Sequence, residues 1–542
     1  MDIDKPLTPV DAPVFNIDAQ TLAEIASIVE RKLSSHTVTD EEAKQALNAL
    51  YSTAVDSLHR TLDSCNAASW VLEAYKQAFM WTIVYKQEMS PLQISHAPLE
   101  LAPTGRYGWR YAIEHLLPKV ATNRLHKRRP HYEDVSKAFT AIAVMTAAAE
   151  WSNLLHFFPD VYSGIYVDLN FPEGALSPKV PPNVRKLISE RNAYLNHIDW
   201  KTWEKYPELN LELTDSYVRS WLNSGLKNSM GFSLDNLETV IKVLSEEILS
   251  SGFTIVHAGE YLIEWVSDVA DLPKKIVSKI FDFMLLSVRT TPEINQNYLN
   301  KKDPARMINF AGVRIDRLQN VKSIYAKTAA RKTHIKKASW HVIMNLFMVA
   351  EWFDVFQHRC SVGHRPDLKM HPQLNLALES IEQYQRQKIF EKIVAKILLD
   401  HGFKCVNNLK KWRNEKGEMA MLPCGEIDIV AYHEKAKVLL VIECKAGAPA
   451  VDARGYSQQY KDHFNNKRYH YKFINKIDWI ASKKEDLDEL GKVESGFAAC
   501  EPLKIIPILV TKYPSVVRFY AKEYEVKTFV ELENEINEIV GL

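Results

Sequence analysis

Cysteine is scarce in this sequence, and its spacing argues against two common ways of stabilising a fold. Six cysteines occur in 542 residues, and no two of them have the spacing of a CxxC pair. We therefore expect neither a disulfide framework nor a zinc site built on paired cysteines, and a reducing, cytoplasmic compartment fits this usage best.

Long apolar runs and nucleotide-binding loops are also missing. No window approaches 18 uninterrupted apolar residues, and the first 15 residues are acidic and contain proline, so neither a membrane span nor a signal peptide is expected. The absence of a P-loop, of GxGxxG after a strand and of GxSxG makes ATP-driven movement by this chain unexpected. The formal net charge of +1 names no partner by itself.

Hydrophobic periodicity divides the chain into two regions after a short tail at 1–19. Apolar residues recur at three- and four-residue intervals through 20–365, which predicts an all-α region of one or two domains for recognition or assembly. Its later predicted helices include 257–287 and 338–357. From about 371 to 542, strand-like runs alternate with helical stretches, which predicts a separate α/β domain.

Two of these strand-like runs, GEIDIVAY and KVLLVIECK, carry charged residues in apolar surroundings. Because alternate residues of a strand point to opposite faces, Ile427, Ile429 and Ala431 should share one face and Asp428 the other. By the same rule Glu443 and Lys445 share a face of the second strand. The turn YHEKAK between the strands would place the two carboxylates and the lysine at the ends of neighbouring strands.

Buried charges of this kind need partners, because burying one of them without a partner would cost on the order of several kcal/mol. A salt-bridge cluster would satisfy them, and so would a metal ion. Two carboxylates with a backbone carbonyl form a hard oxygen site of the type that suits Mg²⁺ or Mn²⁺. The residues thus indicate a candidate metal site at Asp428 and Glu443.

The order of these features resembles the PD-(D/E)xK nuclease superfamily, the restriction-endonuclease-like fold, and within it the Mrr-type branch. The features are an acid on a helix (RQKIFEKIVAKILLDHGF), then CGEIDIVAY, then VIECKAG, then a glutamine helix (RGYSQQYKDHF). The resemblance covers about 170 residues and no part of the first 370. It implies a central mixed sheet flanked by helices.

The resemblance also implies a role for each matching residue. Asp428 and Glu443 would hold Mg²⁺ or Mn²⁺, with the carbonyl of Cys444 as a third ligand, and Lys445 would orient or help deprotonate the attacking water. Glu391 matches the helix acid. Gln459 matches the glutamine of the following helix, with Gln458 as its near rival.

The substrate implied is nucleic acid, with DNA favoured, and the implied setting is defence against foreign DNA or DNA repair. Residues 401–480 hold 14 Lys and Arg against 9 Asp and Glu, which can indicate a phosphate-binding surface but is more often a solvated face. A homo-oligomer is possible, and no membrane partner is expected.

Two alternatives stay open. The spacing of Arg191, Asn192 and His197 resembles the motif of HEPN ribonucleases, which are all-helical enzymes that cleave RNA. The other alternative is an inactive nucleic-acid-binding or assembly protein, in which the same charged residues form a structural salt bridge.

Overall fold

The computed structural model of this chain describes most of its length, with gaps. The described residues are 13–30, 37–38, 40–85, 101–120, 128–157, 167–168, 182–195, 200–209, 215–252, 254–287, 310–316, 340–361, 363, 371–413, 418–447, 450, 453–466, 468–483 and 502–541. Within these residues, no helix combines the length and apolar character needed to cross a bilayer.

The α-helices are spread along the whole chain. They are α1 (Ala19–Glu30), α2 (Asp40–Asp63), α3 (Ala67–Tyr85), α4 (Ala102–Val120), α5 (Tyr132–Phe157), α6 (Pro182–Leu195), α7 (Trp200–Glu204), α8 (Ser216–Met230), α9 (Leu234–Ser250), α10 (Gly259–Ala270), α11 (Lys274–Met284), α12 (Leu346–Ser361), α13 (Pro372–Tyr384), α14 (Glu391–Asp400), α15 (Ala453–Lys461), α16 (Tyr469–Ser482) and α17 (Phe529–Val540).

Strands are concentrated in the second half of the chain. They are β1 (Thr37–Val38), β2 (Val167–Asp168), β3 (Thr254–Ala258), β4 (Leu285–Leu286), β5 (Gly312–Asp316), β6 (Trp340–Asn345), β7 (Lys404–Leu409), β8 (Lys411–Arg413), β9 (Met419–Met421), β10 (Ile427–His433), β11 (Val438–Lys445), β12 (Lys504–Thr511) and β13 (Glu525–Thr528).

The chain forms two compact units, and each is built from two separate stretches. The first unit comprises 1–184 and 223–357, and the second comprises 185–222 and 358–542. The predicted boundary near 371 assigned 185–222 to the helical region, but this stretch packs with the C-terminal residues. The reason is apolar burial, because Trp203 and Tyr206 share one hydrophobic core with Phe529.

The first unit is mainly helical, but the prediction that it is all-α is wrong. A four-stranded sheet in the order β3-β6-β5-β4 lies within it. The predicted helix 257–287 is two helices between the strands β3 and β4, and the predicted helix 338–357 begins as the strand β6. All six residues of β6 are buried, so its sequence shows no polar alternation that would distinguish a strand from a buried helix.

The second unit contains the mixed sheet that was predicted, in the order β13-β12-β11-β10-β7. Strand β10 pairs antiparallel with both β7 and β11, whereas β12 lies parallel to β11 and to β13. The strands predicted from GEIDIVAY, KVLLVIECK and KIIPILVTK are confirmed as β10, β11 and β12. Helices α15 and α16 lie between β11 and β12 in the chain, as a parallel connection requires.

Both faces of this sheet are buried. One core contains residues of α14 and α17 together with Ile429, Leu440 and Ile442 of the sheet. The other contains Val430 and Val441 with residues of α16. The predicted alternation of faces is therefore confirmed for most positions. Ile427 is an exception, because it joins the second core rather than that of Ile429.

The helix predicted from about Leu374 to Asp400 is present as α13 and α14, joined by a π-helical segment at Gln385–Phe390. Gly402 follows with a φ of 83°, a left-handed conformation that glycine adopts without steric cost and that commonly ends a helix. The π segment places Glu391 at the first position of α14. Single-turn π segments often occur at functional sites.

Candidate functional site

Asp428 and Glu443 lie on neighbouring antiparallel strands. Ile429 of β10 pairs with Ile442 of β11. Asp428 precedes Ile429 and Glu443 follows Ile442, so the two acids are the next residues at the same end of the antiparallel pair. Each is only 8% exposed. The hairpin thus brings two carboxylates to opposing positions at one end of a buried sheet, as their spacing predicted.

Two lysines share the carboxylate of Glu443. Lys445 Nζ donates to Glu443 Oε1 at 2.6 Å, and Lys476 Nζ donates to Glu443 Oε2 at 2.5 Å. Lys445 comes from the end of β11 and is partly exposed, whereas Lys476 comes from α16 and is buried. The site therefore contains a second lysine that the sequence analysis did not identify.

Asp428 is held by the backbone of the neighbouring strand. Its Oδ2 accepts a hydrogen bond from the Cys444 N–H at 2.8 Å. This bond places the main chain of Cys444 beside the Asp428 carboxylate. The Cys444 thiol belongs to the core on the opposite face of the sheet, and burial raises its pKa well above the usual range, so the thiol is not a candidate nucleophile.

The two carboxylates have opposite pKa shifts. Burial and the nearby charge of Glu443 raise the pKa of Asp428 to about 6. Burial would also raise the pKa of Glu443, but the charges of Lys445 and Lys476 outweigh it and lower that pKa below its ordinary value. The protein itself therefore stabilises the charged form of Glu443. The charged form of Asp428 would be stabilised more by an added cation than that of Glu443.

Glu391 is a third buried acid, and the charges of Asp428 and Glu443 affect its pKa. Burial and the charge of Asp428 raise the pKa of Glu391 to about 7. Arg386 Nε lies 3.7 Å from Glu391 Oε1. In the amide orientation that satisfies both neighbours, Asn408 donates to Glu391 Oε2 at 3.1 Å and to Glu426 Oε1 at 2.7 Å. The predicted helix acid is thus electrostatically part of the site.

Gln459 lies on α15, and its side chain is hydrogen-bonded to Ser515, which follows the strand β12. Ser515 Oγ donates to Gln459 Oε1 at 3.4 Å. Gln458 is exposed and donates to Asp462 of the same helical stretch at 2.8 Å. Neither hydrogen bond joins a glutamine to Asp428 or Glu443. The role expected for Gln459 therefore stays a prediction.

A sequence signal for Lys476 existed but requires the helix to be placed first. Lys476 stands three residues after Phe473 and four before Ile480, and both of these are buried. A lysine on the apolar stripe of an amphipathic helix needs a buried anion as its partner. Only the fold shows that the partner is Glu443.

Of the three residues in the HEPN-like spacing, the structure describes the side chain of Arg191. Its guanidinium carbon lies 4.6 Å from the ring centre of Phe519 and 5.6 Å from that of Tyr520. These contacts give Arg191 a packing role on the C-terminal residues. His197 and the side chain of Asn192 lie outside the described residues.

The donors at Asp428 and Glu443 fit a hard divalent cation. Burial and the charge of Glu443 raise the pKa of Asp428, so a cation bound beside both carboxylates would stabilise the charged form of Asp428. In the described part of the chain, no group of three or more His, Cys, Asp or Glu side chains has the geometry of a metal site. A cation here would therefore need backbone carbonyl or water oxygens to complete its ligand shell.

Comparison with known proteins adds no relative. No protein-family model, no curated protein and no solved structure matches this chain.

Proposed function

We propose that the second unit is a metal-dependent nuclease that hydrolyses phosphodiester bonds, with DNA as the favoured substrate. The observation that carries the proposal is the facing pair Asp428 and Glu443, buried at the end of a mixed sheet with Lys445 bonded to one of them. This pair, with the preceding helix acid Glu391, supports the resemblance to the PD-(D/E)xK superfamily.

In this mechanism Asp428, Glu443 and the Cys444 carbonyl are the groups that would hold Mg²⁺ or Mn²⁺. When bound, the cation would lower the pKa of a water ligand and stabilise the negative charge that develops on the phosphate. The chain's own contribution is to keep both carboxylates fixed. The Cys444 N–H orients Asp428, and Lys476 orients Glu443 from the buried side.

Lys445 is the partly exposed cation of the site. The charges of Glu443 and Asp428 raise its pKa and outweigh the opposite effect of burial. A lysine that keeps its proton suits the orientation of a water or phosphate oxygen better than proton abstraction. The ammonium of Lys445 is also fixed in place by its hydrogen bond to Glu443 Oε1, so we assign Lys445 the orienting role rather than that of a base.

The experiment is a cleavage panel with the full chain. Plasmid, linear duplex DNA, single-stranded DNA and RNA are incubated with Mg²⁺, Mn²⁺ or EDTA. Wild type is compared with Asp428→Ala, Lys445→Ala and Arg191→Ala. We expect cleavage that requires the metal and is lost with Asp428→Ala and Lys445→Ala.

The other outcomes separate the alternatives. Cleavage that survives EDTA and both site substitutions would contradict the metal mechanism. RNA cleavage lost only with Arg191→Ala would favour the HEPN-type ribonuclease. Binding to nucleic acid without cleavage under any metal would favour an inactive binding protein.

A further inference from the structure

Beside Lys445, the second unit presents a cluster of aromatic rings that the proposed chemistry does not use. Tyr469, at the start of α16, has its ring centre 4.4 Å from Lys445 Nζ and 5.7 Å from Lys472 Nζ. Further rings connected by contacts to this part of the unit are the exposed Tyr471, the half-buried Phe464, His470 and Tyr520, and the buried His463 and Tyr524.

This cluster, which we call the ring surface, is held in place by polar contacts. The Tyr524 hydroxyl lies 2.5 Å from His463 Nε2 and 3.0 Å from His470 Nδ1. His463 belongs to a π-helical segment, Asp462–Asn466, that turns the chain between α15 and α16. A hydroxyl shared by two imidazoles fixes the rings relative to one another before any ligand arrives.

The outer side of the ring surface is accessible and cationic. Tyr471 is 58% exposed, although most large apolar side chains of the unit are buried. Arg468 and Lys472, which are close to Tyr471 in the sequence, are also exposed. An exposed ring near two cations matches a strand that offers base faces and phosphates together.

The face of α16 that carries Tyr469 also leads into the catalytic residues. Lys472 and Lys476 follow Tyr469 at three and seven residues, which places all three on one side of the helix. Lys476 donates to Glu443, and Tyr469 covers the ammonium of Lys445. A phosphate held at Lys445 would therefore have its neighbouring base within reach of the Tyr469 ring.

We propose that the ring surface binds single-stranded nucleic acid, with Tyr469 stacking on the base next to the phosphate held at Lys445 and the exposed Tyr471 stacking on a base further along the strand. This inference rests on the proposed nuclease function and narrows its substrate to strands that are unpaired at the site of cleavage. In an intact duplex the base faces are already stacked on each other and are not available to these rings, whereas every unpaired base offers one.

The test measures binding in EDTA, so that cleavage plays no part. Fluorescence anisotropy gives the Kd of the full chain for labelled single-stranded DNA, single-stranded RNA and blunt duplex DNA of equal length and stated salt. The variants are Tyr471→Ala, Tyr471→Phe, Tyr469→Ala and Lys472→Gln. The matched control is Tyr132→Ala, because Tyr132 is also 58% exposed but lies in the other unit.

We expect the single strand to bind at least tenfold more tightly than the duplex. Loss of one stacking ring should weaken single-strand binding by roughly 5- to 150-fold for Tyr471→Ala and for Tyr469→Ala. Tyr471→Phe and Tyr132→Ala should bind as wild type does, and Lys472→Gln should reduce the salt dependence. A preference for the DNA or the RNA strand would support the proposal and identify the sugar that is recognised.

Equal or tighter binding to the duplex would overturn the inference, and so would unchanged binding in both alanine variants. A second readout is photocrosslinking with a halogenated pyrimidine in the single strand, for which we expect crosslinks to the peptide that contains 469–472. These results stand apart from the nuclease proposal, because a protein that binds single strands through this surface but never cleaves would fail only the cleavage panel.

Discussion

The assignment of 185–222 to the second unit leads to a prediction about Trp203. Its side chain is 4% exposed, stacks on Tyr513 at a ring distance of 5.2 Å, and meets Phe529 edge to face at 5.1 Å. Replacing a buried tryptophan with alanine costs about 3–5 kcal/mol, because both transfer energy and cavity contacts are lost. Trp203→Ala should therefore destabilise the strands that carry the candidate site.

Hydrogen exchange read by mass spectrometry measures this effect locally. Because about 1.4 kcal/mol corresponds to a factor of ten, protection of the peptide 438–445 should fall by roughly 150- to 4,000-fold in Trp203→Ala. The control is Trp352→Ala, since Trp352 is 1% exposed and lies in the first unit. We expect this control to lower protection in its own unit and to leave the 438–445 peptide unchanged.

Two results would refute this reasoning. One is protection of 438–445 that changes by less than about threefold in Trp203→Ala, which corresponds to less than about 0.7 kcal/mol. The other is a fragment of 371–542 that folds with the same protection as the full chain although it lacks Trp203, Tyr206 and Leu209.

Three further predictions concern buried charged groups. Without metal, Lys476→Met should have a lower melting temperature than wild type. Mn²⁺ should raise the melting temperature of Lys476→Met more than that of wild type, because the lysine no longer competes with the cation for Glu443. An equal rise in the two proteins would contradict this. Wild-type Mn²⁺ affinity should rise as pH passes about 6 to 7, where Asp428 and Glu391 lose their protons, and Glu391→Gln should remove the upper part of that rise in calorimetric titrations. Glu114 of α4 is buried with neither oxygen hydrogen-bonded, and burial raises its pKa to about 8. The contribution of Glu114 to the free energy of unfolding is complete below its unfolded pKa of 4.5 and is lost as pH rises through about 8. The loss is up to about 1.4 kcal/mol per pH unit. Glu114→Gln should therefore make the free energy of unfolding, measured with denaturant, less dependent on pH between about pH 5 and 8.

Local features of the C-terminal unit could be predicted because each is set by neighbouring residues. The run of apolar residues around Asp428 and Glu443 predicted the two strands that carry them, and the short turn between the strands predicted that the strands pair. The helix α14 and its end at Gly402 also followed from apolar spacing and from the φ that glycine permits.

The rest depends on contacts between distant parts of the chain. The ion pair of Lys476 with Glu443 joins residues 33 positions apart on a helix and a strand. The packing of Trp203 on Phe529 joins residues more than 300 positions apart, and the stretch 223–357 between them belongs to the other unit. The fully buried strand β6 gave no period-two signal. No local pattern encodes these three features.

The central claim is that Asp428 and Glu443 together hold a divalent cation, and calorimetric titration of Mn²⁺ into the nucleic-acid-free protein tests it most directly. The proteins compared are wild type, Asp428→Asn, Glu443→Gln and the control Asp462→Asn, whose carboxylate is hydrogen-bonded to Gln458 outside the site. We predict one Mn²⁺ per chain in wild type and in Asp462→Asn, and loss of that binding in the other two. Mn²⁺ binding of equal affinity in all four proteins, or in none, would contradict the claim.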